Sequence, residues 1–500
     1  MAMSDPSTTE ERLAQETVRV GVNVGLLLAA RIAGLAMSLV QLGIIFRALT
    51  LSAQGEYQAA FNFASLFTVF ATLGIQRLLV RDIARNPKIA WSYVWTALTV
   101  VSLLSALCMG AIYLIKRDSG TEALVLWAGA YVVVAWALQQ PFEALLIARE
   151  RMGLVALLNV LAGALKLLAV WLFLPVPTPP ADFEVPALLA HQVVAVANGM
   201  GFLCFVIVTI TVSGMELPRL RPRAAVAQVW ECMPFALAML CSWVYFKSDM
   251  ELLHHFRGNT DAGIYAPVQK LMEPLLMVAG LWGTAIFPAL CRLSHTDAEG
   301  FAHIKATSLR LALLVACPMA VGLGLLAQPI LVLLTGGDSG LADSTRVLQI
   351  VAFILPLFYL NGIGQEFLYA AHRNAFVVWT YLAAAVVSVG LNLWAIPAYG
   401  VVGLAWVAVI ANGVVSLFFC VGMGREIDFG GLAVLLLRSA IACGVMWAVA
   451  WFGSGIHLLA GIALGALSYG AVQWILGTLN PRERLMVRQA VDGLATRIGA

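Results

Sequence analysis

Apolar stretches of about 20 residues, each long enough to cross a hydrocarbon layer ~30 Å thick as a helix, follow one another from Val22 to Gly477. Fourteen such spans are predicted, near 22–46, 57–79, 91–115, 122–147, 152–174, 187–212, 229–253, 262–291, 307–334, 345–371, 374–396, 401–423, 432–452 and 456–479. Polar residues gather between them in short connections, the longest being Pro175–Pro186, Ser213–Gln228 and Arg292–Ala306. None can hold a folded soluble domain. The pattern predicts an all-α polytopic membrane protein.

Composition agrees with that reading. Hydrophobic residues make up 61% of the 500, charged residues 11%, and the mean hydropathy is +0.90. A soluble domain is about half apolar and about a quarter charged. The net charge of +3 is too small to imply a nucleic-acid partner. The eight cysteines (108, 204, 232, 241, 291, 317, 420 and 443) fall in or at the ends of apolar spans and form no CxxC or Cys/His spacing. They read as small packing residues, and no metal or cofactor is expected. Residues 1–21 are polar and charged rather than a signal peptide, so they form a segment ahead of the first span.

The positions of the positive charges matter more than their sum. Connections on the side of the N-terminus carry nineteen Lys and Arg, including Arg77, Arg81, Arg85, Arg149, Arg151, Arg219 and Arg373. The other side carries five: Arg47, Lys116, Arg117, Arg257 and Arg346. The positive-inside rule then places both termini in the cytoplasm, which requires an even number of spans.

The chain also repeats itself. Gly55-Glu56-Tyr57 follows the first span and Gly263-Ile264-Tyr265 the seventh; Ala148-Arg149-Glu150-Arg151 leaves the fourth and Ala370-Ala371-His372-Arg373 the tenth. Both pairs are six spans apart. The expected organisation is an N-lobe over 22–212, a linker over 213–228, a parallel C-lobe over 229–423, two added helices over 424–479 and a tail over 480–500.

No Gly-Lys dipeptide, HExxH or GxSxG occurs, so the chain shows no nucleotide-hydrolysis or hydrolase motif and reads as a transporter rather than an enzyme. Ionisable residues inside spans cost several kcal/mol unless they face a bundle interior or a watery cavity. Arg31, Lys166, Lys247 and Lys270 are the candidate cations of such a path. Arg77, Arg81 and Arg85 recur every fourth residue, a helical stripe suited to an anionic headgroup. Asp249 and Glu273 are the candidate ion-coupling acids, with ion pairing to Lys247 or Lys270 as the structural alternative. At the repeat offset Leu39, Gln41, Asn62 and Ser65 stand for Lys247, Asp249, Lys270 and Glu273, so the charges belong to the second copy alone.

Arg47-Ala48-Leu49, Gly55-Glu56-Tyr57, Leu73-Gly74-Ile75 and Val80-Arg81-Asp82-Ile83-Ala84-Arg85 resemble the polysaccharide-transporter branch of the multidrug/oligosaccharidyl-lipid/polysaccharide exporter superfamily, the Wzx-type O-antigen flippases. Phe287-Pro288-Ala289-Leu290, Asn392-Leu393 and Ile396-Pro397-Ala398-Tyr399-Gly400 follow in the same order. The resemblance implies two six-helix lobes around a central cavity in a bacterial inner membrane. It also implies transport of undecaprenyl-pyrophosphate-linked repeat units for O-antigen, capsule or exopolysaccharide synthesis. Partners would be the lipid-linked glycan, the bilayer, and polysaccharide polymerase and assembly enzymes. An ion-coupled multidrug antiporter and a lipid II flippase of the same superfamily are the alternatives.

Overall fold

The computed structural model describes residues 30, 33–85, 90–118, 120–149, 151–174, 186–214, 222–337, 340–424, 429–454 and 457–478. Among them no strand occurs, and the described parts of the fourteen predicted spans are predominantly helical; residues 22–29 and 31–32 of the first lie outside them. The chain is an all-α polytopic membrane protein.

The first span is α1, Ala33–Ala48. Thr50, in extended backbone, accepts from the Ala53 amide at 3.4 Å and so starts the next helix. The second span comes in three pieces: α2 Leu51–Leu66, α3 Thr68–Thr72 and α4 Ile75–Arg85. Leu73 and Gly74 are both left-handed, which ends α3 and lets α4 restart as a separate helix. The third span is α5, Ala90–Lys116. The fourth is interrupted: α6 Glu122–Gly129, a π-helical turn over Ala130–Ala135, then α7 Trp136–Ala148. Such turns insert one extra residue and re-aim a side chain, here Tyr131. The next two spans are α8 Met152–Phe173 and α9 Ala187–Ser213.

α10, Pro222–Thr296, carries the seventh and eighth spans, broken only at Gly258 with φ 78° and ψ −166°. Only glycine reaches that conformation without strain. The connection expected over several residues therefore reduces to one glycine. The same happens at Gly400 within α15, Asn374–Met423. Between them lie α11 Ala298–Leu325, α12 Ala327–Thr335, α13 Leu341–Val351 and α14 Ile354–Ala370; α16 Phe429–Ser454 and α17 Leu458–Ile475 follow.

The described helices form two compact units. Unit 1 runs to Pro267 and adds Leu334–Gly340; unit 2 holds Val268–Leu333 and the chain from Leu341 onward. In lipid, helices associate through close packing of small residues and polar contacts rather than through apolar burial. Unit 1 shows why it absorbs α10 up to Pro267. A side chain on Gly55 of α2 would overlap the Asn259 carbonyl oxygen, and one on Gly263 would overlap the Leu51 carbonyl oxygen. The two glycines of the repeated motif thus cross each other at backbone contact.

In unit 2, α16 and α17 pack through Gly453 against Gly461, and through Gly465 against Ala450. Leu313, Leu314 and Leu435 form a buried cluster that Leu311, Cys317 and Leu360 cover. The six described cysteines are free, consistent with packing use; Cys232 and Cys241 have no described side chain.

Candidate functional site

Unit 1 has a polar interior. Gln54, Gln58, Asn62, Ser65, Thr68 and Thr72 are all buried along α2 and α3. Their spacing of three or four residues puts them on one helical face. Gln54 Nε2 donates to the Phe46 and Leu49 carbonyls at 2.8 and 3.2 Å, which ties α2 to the end of α1. Gln58 Nε2 donates to Asn62 Oδ1 at 3.3 Å, and Ser65 Oγ to the Asn62 carbonyl at 2.7 Å.

His191 of α9 is fully buried beside this face. Its ring stacks on Tyr57 with centroids 4.2 Å apart. Its Nε2 lies 3.2 Å from the Tyr57 carbonyl, which can only accept, so Nε2 carries a proton. A neutral ring then accepts at Nδ1 from the Tyr131 hydroxyl, 3.1 Å away. The π-helical turn brings Tyr131 to that position.

Of the sequence-predicted cations, Lys166 has the most distinctive setting. It is half-buried midway along α8, and among the described residues no hydrogen bond or ion pair engages it. Gly163, one turn earlier, faces Met37 of α1. Asn159, two turns before Lys166 on the same face, accepts from Gln139 of α7 at 3.3 Å. Lys166 therefore shares one side of α8 with Asn159 and Gly163. Arg31 lies outside the described residues. Arg77 and Arg81 lie on α4, but their side chains are outside the described set.

The second-copy charges are engaged locally. Asp249 accepts from the Tyr265 hydroxyl at 2.9 Å and from the Met250 amide at 2.8 Å, and lies in Coulombic reach of Lys247. Lys270 Nζ sits 3.1 Å from Glu273 Oε2 on the same helix. The ion-pair alternative thus describes the Lys270 and Glu273 geometry.

Sequence reasoning left out a further constellation. Lys116 of α5 pairs with Glu251 of α10 at 3.3 Å. Asn259 Nδ2 donates to Glu56 Oε1 at 2.7 Å, and His254 Nε2 to Asn259 Oδ1 at 2.7 Å. Lys116 read as an ordinary loop charge because its partner is far away in sequence. The advance signals were Glu251 beside an apolar run and Glu56 inside the repeated Gly-x-Tyr motif; the pairing with Lys116 was not foreseen.

Unit 2 is built differently. An apolar groove of about 510 Å³ runs between α10, α11, α12, α16 and α17, lined by residues such as Leu275, Pro318, Met319, Ile330, Met446 and Ile462. That volume suits a drug-sized or larger apolar group. Tyr469 closes one end, its hydroxyl donating to the Leu314 carbonyl at 2.9 Å while accepting from Gln473 Nε2 at 2.8 Å. A turn further, Arg310 bonds the Thr478 carbonyl. Among the described residues no group of three or more His, Cys, Asp or Glu could hold a metal ion.

The fold is similar to that of solved transporters. A lipid II flippase MurJ in an inward closed conformation superposes with a TM-score of 0.72 at 13% identity, covering 90% of this chain and 98% of that one. An inward-facing multidrug resistance MATE family transporter of the MOP superfamily gives 0.61 at 15% identity, over 78% and 94%. No curated protein sequence matches. Two family models match in succession: lipid II flippase MurJ over residues 268–470, and polysaccharide biosynthesis protein over residues 20–294. The second takes in the glycine crossing, the buried polar face of α2, Lys166 and the Lys116–Glu251 pair, and it spans more than half of the sequence. On that match the chain belongs to the polysaccharide biosynthesis protein family.

Proposed function

We propose that the chain moves polyprenyl-pyrophosphate-linked oligosaccharide repeat units from the cytoplasmic to the periplasmic leaflet for O-antigen, capsule or exopolysaccharide synthesis. The observation that carries this reading is the apolar groove of unit 2. A lipid tail gains little by exchanging lipid for protein, so the groove serves to orient the tail rather than to extract it.

The headgroup is multiply anionic, and carrying it through low dielectric requires nearby positive charge. Lys166, engaged by no described partner, supplies a charge that a diphosphate can claim without first breaking an ion pair. In this reading the side with the excess of Lys and Arg is the cytoplasmic side, with both termini and α4 facing it. Arg77 and Arg81 then serve entry, while Lys247 and Lys270 serve the outer half of the path. Asp249 keeps the coupling role in this reading, and Glu273 acts as the counter-ion of Lys270.

Depletion of the protein is expected to remove surface polysaccharide and to trap undecaprenyl-linked units on the cytoplasmic leaflet, with peptidoglycan normal. Intact polysaccharide without a trapped intermediate would contradict the proposal. Transport of lipid II is the second reading, favoured by the MurJ match over residues 268–470, which contains every groove residue from Leu275 to Tyr469. Rescue of cells depleted of their essential peptidoglycan flippase selects that reading over the first.

A further inference from the structure

Two side-chain bridges in unit 1 join helices of the first repeat to the opening of the second. In one, Lys116 Nζ lies 3.3 Å from Glu251 Oε1 and 4.4 Å from the centroid of the Phe63 ring on α2. Both charged side chains are partly buried, 18% and 27% exposed. Beside them is a cavity of about 10 Å³, room for a single water, lined by Glu56, Ala60, Phe63, Thr121, Glu251 and His254. In the other bridge, His254 and Asn259 of α10 connect to Glu56 of α2.

Just beyond, Gly55 and Gly263 cross at backbone contact, so α2 and the tip of α10 have no slack for sliding. On the transport reading, with this end extracytoplasmic by the positive-inside count, a headgroup leaving here has to part them. Packing at the glycines is short-ranged and vanishes with the first small separation. A partly buried ion pair keeps acting over several ångströms and is screened less than an exposed one. Asp249 and Glu273 each meet a partner on α10 itself, Tyr265 and Lys270.

We propose that the Lys116–Glu251 pair is an electrostatic latch that holds this end of the path shut and breaks once in each passage of a headgroup. The latch rests on the transport reading above, but not on which lipid is carried. It adds a gating role for two residues outside the cationic path.

A cysteine in the cavity wall reports opening. Ala60→Cys is buried in the latched state and reacts slowly with a membrane-impermeant maleimide in intact cells. Adding Lys116→Gln or Glu251→Gln is expected to raise that rate about fivefold, the effect of removing one partly buried ion pair. The charge swap Lys116→Glu with Glu251→Lys is expected to bring the rate back toward the starting value. Unchanged rates in the single variants, or a swap as reactive as they are, would overturn the latch.

A second variant guards against misfolding. Lys116→Cys with Glu251→Cys, bridged by a short bifunctional thiol reagent, is expected to lose transport and regain it when the bridge is cleaved. Transport that continues with the bridge in place overturns the latch as well. The maleimide rate does not depend on the substrate, so its failure leaves the proposed function standing. A failure of the depletion experiment leaves the gating result standing in turn.

Discussion

Asn62 and Ser65 on α2 and Lys270 and Glu273 on α10 hold matching registers in the two repeats, yet they live in opposite surroundings. The first pair is buried, 0% and 2% exposed, and bonded within its own helix. The second is a charged pair whose side chains are 14% and 40% exposed. Neutral amides and hydroxyls can satisfy themselves locally in a dry interior, whereas a lysine and a glutamate persist in a membrane span where water or a bundle cavity reaches them. The same register thus carries a neutral, buried face in its first copy and a partly exposed charged pair in its second. The motif tyrosines diverge in the same way: Tyr57 stacks on buried His191, while Tyr265 donates to Asp249.

The largest expected effect tests what the copies still share. Gly55→Val and Gly263→Val each drive a side chain into a neighbouring backbone carbonyl. Each is expected to cost about 3 kcal/mol or more and to lower the yield of folded protein in a detergent melting assay. Tolerance of valine in either copy would show that the crossing is looser than the geometry implies.

Next comes Lys166. Lys166→Met breaks no described interaction, so the melting temperature is expected to hold while transport falls about tenfold, equivalent to ~1.4 kcal/mol. A parallel fall in both quantities would make Lys166 structural.

The smaller effects contrast the copies directly. Asn62→Leu removes the acceptor of Gln58 Nε2 on the buried face of α2 and is expected to cost about 1–3 kcal/mol of stability. Removing both charges with Lys270→Met and Glu273→Gln is expected to cost less than about 1 kcal/mol, because the pair is partly solvated and confined to one helix. Equal losses from the two changes would erase the distinction between the buried and the partly exposed copy.

The spans were legible in the sequence because hydropathy is a local property, and helix predominates in the described parts of all fourteen. The single-glycine breaks at Gly258 and Gly400 were not, since nothing local says that one residue suffices to end one helix and begin another. The same holds for the π-helical turn that aims Tyr131 at His191. Repeat matching pointed to Gly55 and Gly263 as equivalents but not as neighbours, which is a tertiary fact. Lys166 stood out from its depth alone, whereas Lys116 did not, because its partner Glu251 is remote in the chain and both sit near span ends. The ion pairing of Lys270 with Glu273 was foreseeable from a three-residue helical spacing.

Two proposed roles can be tested separately: Lys166 of unit 1 as a contact for an anionic headgroup, and the unit 2 groove as a rest for a lipid tail. The most direct test of both is reconstitution of the protein in vesicles with a fluorescent polyprenyl-pyrophosphate oligosaccharide, following how much of the sugar an external glycosidase can reach over time. The account predicts that the protein equilibrates the sugar between leaflets, that Lys166→Met slows this, and that filling the groove with Ala466→Trp slows it too. Equal rates with and without protein, or equilibration indifferent to both substitutions, would contradict it.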